Sequence, residues 1–260
     1  MLLKDKVAVI YGAGGGIGGA VARAMAQEGA WVFLTGRRPV DAVAREIVNA
    51  GGRAVAAQVD ALDEAAIDAH LQAVIDLAGR IDISFNAIGL QDRSILGVKF
   101  ADLDVAKFSL PIAAYTTSYF LTARLAARRM IPHKAGVIMT VSALPARTGT
   151  AMNGGYGASQ AAKEALTRDL SFEFSPQGLR VVCLRPHGIP ETHTMAELYE
   201  VKAKSAMTWE QFQASLGSST HPKRVMRLNE VAQVAAFAAS DRASGMTGTT
   251  VNLTMGALDD

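Results

Sequence analysis

Apolar residues along this chain follow two rhythms. Short runs such as Val7-Ala8-Val9-Ile10-Tyr11 and Val181-Val182-Cys183-Leu184 are apolar at every position, the pattern of strands covered on both faces. Between such runs lie longer segments whose apolar residues recur every ~3–4 positions, the period of a helix burying one stripe. The strand pattern covers 6–11, 31–35, 53–59, 81–86, 136–142, 179–185 and 249–253. The helical pattern covers 16–28, 40–50, 64–78, 101–130, 155–175 and 229–240, where abundant alanine suits close packing on a sheet. This alternation predicts an α/β fold, a doubly wound seven-stranded parallel sheet with helices on both faces. No repeat, low-complexity linker or shift in composition divides the chain, so 1–260 reads as a single domain.

One stretch breaks the regularity. Residues 187–222 are too many for a plain connector, and segments of that length usually serve as lids or binding loops. Leu198, Tyr199, Met207, Trp209, Phe212 and Leu216 stand there among lysines and glutamates, which predicts amphipathic helices. Two readings stay open: the apolar faces close over an apolar substrate, or they only dock the segment on the core.

Charge removes whole classes of partner. With 26 basic and 24 acidic residues in 260, the net charge is +2, and no basic run offers a footprint for nucleic acid or an anionic membrane. No apolar stretch approaches the ~18 residues of a membrane span, and a strand begins at Val7 with no room for a signal peptide, so a cytoplasmic protein is expected. The lone cysteine, Cys183, reads as a buried strand residue. His70, His133, His193 and His221 show no metal-ligand spacing, and no metal is expected.

The first candidate for chemistry is the turn Tyr11-Gly12-Ala13-Gly14-Gly15-Gly16-Ile17-Gly18, which leaves a strand and opens a helix. Glycines let the backbone turn tightly and approach a diphosphate, while the helix N-terminus supplies amide donors and positive partial charge. Taken alone, such a turn also occurs for packing only. A second candidate is Tyr156-Gly157-Ala158-Ser159-Gln160, where positions 156 and 160 share one helix face.

Together these segments resemble the short-chain dehydrogenase/reductase family, a Rossmann-type fold. The glycine turn has the family's Gly-x-x-x-Gly-x-Gly spacing, with Tyr11 where a threonine usually stands. Asp60 matches the acidic residue that contacts adenine, and Asn86-Ala87-Ile88-Gly89 resembles the family's Asn-Asn-Ala-Gly. Leu184-Arg185-Pro186-His187-Gly188-Ile189 resembles the segment around the family's Pro-Gly, which closes over the nicotinamide. Segment 246–256 resembles the terminal strand and its flanks. The resemblance implies hydride exchange between a nicotinamide cofactor and a small carbonyl or alcohol substrate. It assigns cofactor contacts to Gly12, Gly16, Ile17, Gly18, Asp60, Asn86, Gly89, Gln160 and Pro186. It further implies a homo-oligomer, expected to be a tetramer, paired through the long helices at 101–130 and 155–175.

Cofactor choice is read after the second strand, where an acidic residue would favour NAD(H). This chain has Thr35-Gly36-Arg37-Arg38, so Arg37, with Arg38, is expected to bind a 2′-phosphate by charge-assisted hydrogen bonds and favour NADP(H). NAD(H) stays possible, and the alternative is that both arginines are merely solvated at a loop.

The catalytic positions depart from the family. Tyr156 keeps the proton-exchanging tyrosine, but Gln160 stands where a lysine would lower its pKa, and Tyr115 falls on the asparagine position. Ser142 is the candidate for the serine that orients the carbonyl, although the commonest spacing selects Ala143. Lys163 reads as a surface or intersubunit residue. His187 replaces the glycine after Pro186; as a proton donor or substrate clamp it could compensate, and it reads equally as a polar residue shaping a narrower pocket. The retained Tyr156 favours an enzyme with a non-standard site. The substitutions favour a rival reading, a catalytically weak or inactive dinucleotide-binding protein with a structural or regulatory role.

Overall fold

The computed structural model describes residues 1–90 and 93–259, the side chain of Ser94 excepted. Seven strands form one parallel sheet: β1 (Val7–Tyr11), β2 (Trp31–Gly36), β3 (Arg53–Gln58), β4 (Ile83–Asn86), β5 (Gly136–Val141), β6 (Leu179–Pro186) and β7 (Thr249–Leu253). Their spatial order is β3-β2-β1-β4-β5-β6-β7, as the alternating pattern requires. The order reverses between β1 and β4, where Ala8 pairs with Ile83 and Tyr11 with Asn86. At such a switch the connections leave in opposite directions, opening a crevice beyond the carboxyl ends of the strands.

Successive side chains on a strand face opposite ways, and this divides the core in two. Ala8, Ile10, Val32, Leu34, Val182 and Leu184 pack on one face with α1 (Gly16–Gln27) and α8 (Leu228–Ala239). Val7, Val9, Tyr11, Phe33 and Val181 pack on the other with α3 (Glu64–Ala78), α4 (Val105–Met130) and α5 (Tyr156–Phe174). A short α2 (Asp41–Asn49) joins β2 to β3. Burying a leucine, isoleucine or phenylalanine contributes roughly 1.5–3 kcal/mol, so both layers are needed to hold the sheet.

Two boundaries move for local reasons. The pattern expects a helix from 101, but α4 starts at Val105 because the Asp104 carboxylate caps the amides of Ala106 (2.8 Å) and Lys107 (3.3 Å). The strand expected from 81 starts at Ile83, after Asp82 has bound the amide of Val7 through its side chain at 2.8 Å. In the 187–222 segment the expected helices are present as α6 (His193–Leu198) and α7 (Trp209–Ser218), joined by a π-turn at Tyr199–Ala203. Tyr199, Trp209 and Phe212 form one aromatic cluster with ring centroids 5.2–5.6 Å apart. Lys202 ties this segment to the loop before α5 by donating to the Ala151 carbonyl at 2.6 Å.

Candidate active site

Strand β1 delivers the glycine turn to the crevice. Gly12 has φ +76°, and a Cβ there would lie 2.6 Å from the Ala87 carbonyl oxygen, so only glycine fits between the two loops. The amides of Gly12 and Ala13 both reach the Thr35 carbonyl at 3.0 Å, which pins the turn to β2. Gly15 is the N-cap of α1 and brings no side-chain cap. The amides of Gly16, Ile17 and Gly18 therefore have no acceptor among the described residues, an arrangement that suits an anionic diphosphate. Tyr11, in the usual threonine's place, turns away: it is fully buried, and burial raises its phenol pKa.

Other cofactor candidates border the same strand ends. Asn86 is buried, with its amide nitrogen donating to Thr122 at 3.1 Å and its side-chain oxygen accepting from Ile88 at 3.4 Å. Around Gly89 the space is open, and a Cβ added there would meet nothing within 4 Å. The Asp60 carboxylate accepts from the Leu62 amide at 3.0 Å. Arg37 and Arg38 are exposed beyond β2, and neither guanidinium has a carboxylate partner among the described residues.

Tyr156 opens α5, stacked edge-to-face on Tyr115 with centroids 5.8 Å apart. The Tyr115 hydroxyl accepts from the Leu90 amide at 3.0 Å. Burial, reinforced by Tyr115, pushes the Tyr156 phenol pKa far up and keeps it protonated. Part of the residue's surface still meets solvent. Gln160 is buried and spends an amide hydrogen on the Ser159 hydroxyl at 3.1 Å.

Beneath this helix the Ser142 hydroxyl donates to the Glu164 carboxylate at 2.7 Å, and the surface reading of Lys163 is corrected. Glu164 in turn holds Arg185 through two bonds, at 2.7 and 2.8 Å, with both side chains buried. Ala143 takes the position that the commonest spacing selects, and it carries no hydroxyl. Lys163 is not on the surface: it is 1% exposed, donates to the Val141 carbonyl, and lies 5.4 Å over the Tyr115 ring. Burial lowers its pKa to about 8. Seven residues after Tyr156, it falls on the same helix face, a spacing that was readable in the sequence.

His187 follows Pro186, the last residue of β6, and its amide donates to the Leu253 carbonyl at 3.1 Å. Its Nε2 lies 3.0 Å from the hydroxyl of Ser219, just past α7, while Nδ1 is buried without a partner. Pattern reading missed Glu164, Arg185 and Ser219. Arg185, directly after the apolar run Val181–Leu184, was the available signal for the buried pair. Nothing in the sequence marked Ser219.

Comparison with known proteins decides the family. The family model described as Enoyl-(Acyl carrier protein) reductase matches residues 12–257, from the glycine turn to beyond β7. The chain belongs to the short-chain dehydrogenase/reductase family. It is 31% identical over 246 residues to cis-4-hydroxycyclohexanecarboxylate dehydrogenase of Sinomonas cyclohexanicum, covering 94% of this chain and 93% of that one. It is 29% identical to the 3-oxoacyl-(acyl-carrier-protein) reductase FabG of Aquifex aeolicus (strain VF5), covering 98% of each. Among solved structures, a dehydrogenase/reductase from Sinorhizobium meliloti 1021 superposes with TM-score 0.83 at 26% identity, over 99% of this chain and 96% of that one. An NAD+-bound xylitol dehydrogenase shares the fold with TM-score 0.90 at 24% identity, over 98% of this chain and 100% of that one. These relatives are oxidoreductases of the short-chain dehydrogenase/reductase type. No helix among the described residues is long and apolar enough to cross a membrane.

Proposed function

We propose that the protein is an NADP(H)-dependent oxidoreductase that interconverts a carbonyl and an alcohol on a small, mainly apolar substrate. The observation that carries this reading is the joint survival of an uncapped α1 N-terminus directly after β1 and a protonated Tyr156 at the start of the helix after β5. The unpaired amides of Gly16, Ile17 and Gly18 suit the diphosphate, and Gly12 keeps the turn close. Asp60, Asn86, Gly89, Gln160 and Pro186 would border the remaining cofactor. Arg37 and Arg38, exposed and without carboxylate partners among the described residues, suit a 2′-phosphate. When bound, the cofactor supplies or accepts the hydride.

The chain's own part is proton transfer. Tyr156 gives its phenolic proton to the developing alkoxide during reduction. Alcohol oxidation needs a phenolate, and no lysine at 160 favours it, so the reaction is biased toward reduction. Ser142 is left out of the step because its proton is committed to Glu164. The 187–222 segment closes the substrate side. The protein is further proposed to act as a homotetramer through α4 and α5, whose Phe120 and Phe172 are 41% and 89% exposed. Light scattering that gives a monomer mass would remove that part.

A second reading has its own support. Ser142, Gln160 and Lys163 all spend polar hydrogens inside the protein, on Glu164, Ser159 and Val141. A dinucleotide-binding protein without turnover would tolerate this. NADPH consumption across a panel of aldehydes and ketones separates the two. Turnover above the uncatalysed rate supports the enzyme, whereas tight NADPH binding with no turnover supports the rival.

A further inference from the structure

The Tyr115 hydroxyl has a hydrogen that nothing in the described fold uses. Its oxygen accepts from the Leu90 amide at 3.0 Å, and no described residue accepts its proton. A phenol is a donor as well as an acceptor, so the donor is left over. Burial raises the Tyr115 pKa, the Leu90 amide offsets part of the rise, and the hydrogen stays on the oxygen at neutral pH. The ring is fixed on two sides. It stacks edge-to-face on Tyr156 with centroids 5.8 Å apart, and the Lys163 ammonium lies 5.4 Å over its face.

Open space borders that oxygen. Gly89, directly before Leu90, is exposed, and a Cβ added there would meet nothing within 4 Å. Its Cα is two bonds from the Leu90 nitrogen that the phenol touches. Tyr156 is partly exposed as well. Leu90 follows β4 and Tyr156 opens the helix after β5, and these two strands are neighbours in the sheet. Two protonated phenols on touching rings therefore stand beyond the carboxyl ends of adjacent strands.

We propose that Tyr115 is a catalytic residue that donates a hydrogen bond to the substrate's carbonyl oxygen, beside the proton donor Tyr156. Within the oxidoreductase reading, on which this rests, the contact fills a vacant role: Ser142 gives its hydrogen to Glu164 at 2.7 Å, and Ala143 has none to give. In the reduction, the carbonyl carbon gains hydride from NADPH, and its oxygen gains the Tyr156 proton, which the phenolate recovers from water. The Tyr115 hydrogen is not transferred. It stabilises the negative charge that develops on the oxygen as hydride arrives.

The test uses the full-length protein saturated with NADP+, which cannot reduce a ketone, and cyclohexanone labelled with 13C at the carbonyl. Infrared difference spectra against unlabelled cyclohexanone give the stretch of the bound carbonyl, which falls with each hydrogen bond its oxygen accepts. Tyr115→Phe and Tyr156→Phe should each raise that stretch, and the double variant should raise it furthest. With NADPH, Tyr115→Phe should lower kcat for cyclohexanone about 10²-fold and leave NADPH affinity unchanged. Phenylalanine also deprives the Leu90 amide of its acceptor, so a second variant carries 3-fluorotyrosine at position 115. It keeps ring and oxygen, and its more acidic phenol should lower the stretch below wild type, a change no structural role would produce. A stretch that ignores both changes at 115, or no bound carbonyl band in wild type, overturns the proposal. Lost NADPH affinity in place of a carbonyl shift overturns it too, because the hydroxyl would then serve the cofactor. If only Tyr156 moves the stretch, the proposal fails and the oxidoreductase reading stands. If Tyr115 moves it but NADPH gives no turnover, that reading fails and the contact stands.

Discussion

Lys163 donates to the main-chain carbonyl of Val141, the residue just before Ser142, from a position with no solvent contact. A buried ammonium with a carbonyl instead of a carboxylate is poorly compensated, and burial brings its pKa to about 8. The sign follows directly. The folded state holds this proton more weakly than the unfolded chain does, so the cost is full below pH ~8 and fades as pH rises toward ~10.4. Lys163→Met should therefore raise stability by about 1–2 kcal/mol at pH 7, with the advantage shrinking by pH 10. Urea titrations at both pH values would show it, and equal stability at pH 7 would mean the ammonium is better paired than this geometry indicates.

The Glu164–Arg185 pair makes the opposite prediction. Both charges are buried and joined by two hydrogen bonds, and Ser142 adds a third to the same carboxylate. Glu164→Leu removes the carboxylate from under a buried guanidinium and should cost about 3–5 kcal/mol. Denaturant unfolding measures this loss. A loss below about 1 kcal/mol would place Arg185's compensation elsewhere.

How much of this was legible beforehand depends on the scale of the pattern. Uninterrupted runs such as Val7–Tyr11 declared parallel strands because covering both faces leaves no polar position, and the observed sheet follows them. The glycine turn was legible for the same local reason: Gly12 needs its positive φ and its clearance from Ala87. Lys163 was misplaced because charge usually means surface, and only the seven-residue interval from Tyr156 hinted otherwise. The Ser142 hydroxyl's bond to Glu164 was not legible, because it joins a strand end to a helix 22 residues on. Ser219 was beyond reach, since its meeting with His187 depends on how a 32-residue excursion folds back.

Cofactor preference should follow Arg37. Wild type is expected to bind NADPH more tightly than NADH, and Arg37→Asp should flatten or reverse the order by repelling the 2′-phosphate. Fluorescence titration of both cofactors checks it. Equal affinities in the unmutated protein would count against the assignment.

Gln160→Lys is expected to raise reductase activity, but Lys163 qualifies it. Residues three apart on a helix are neighbours, so a second ammonium would enter beside the first. The double variant Gln160→Lys with Lys163→Met should gain more than Gln160→Lys alone. If the single variant proves faster than the double in steady-state assays, Lys163 assists the site instead of opposing it.

Tyr156 is proposed to donate the proton from a phenol kept protonated throughout the neutral range. The direct measurement is the rate of NADPH-dependent reduction of one reactive carbonyl from pH 6 to 9, in wild type and in Tyr156→Phe. Wild type should show no loss of rate attributable to phenol ionisation over that range, and removing the hydroxyl should lower the rate ~10²-fold or more. A Tyr156→Phe variant that folds, binds NADPH and reduces the carbonyl at the wild-type rate would contradict it.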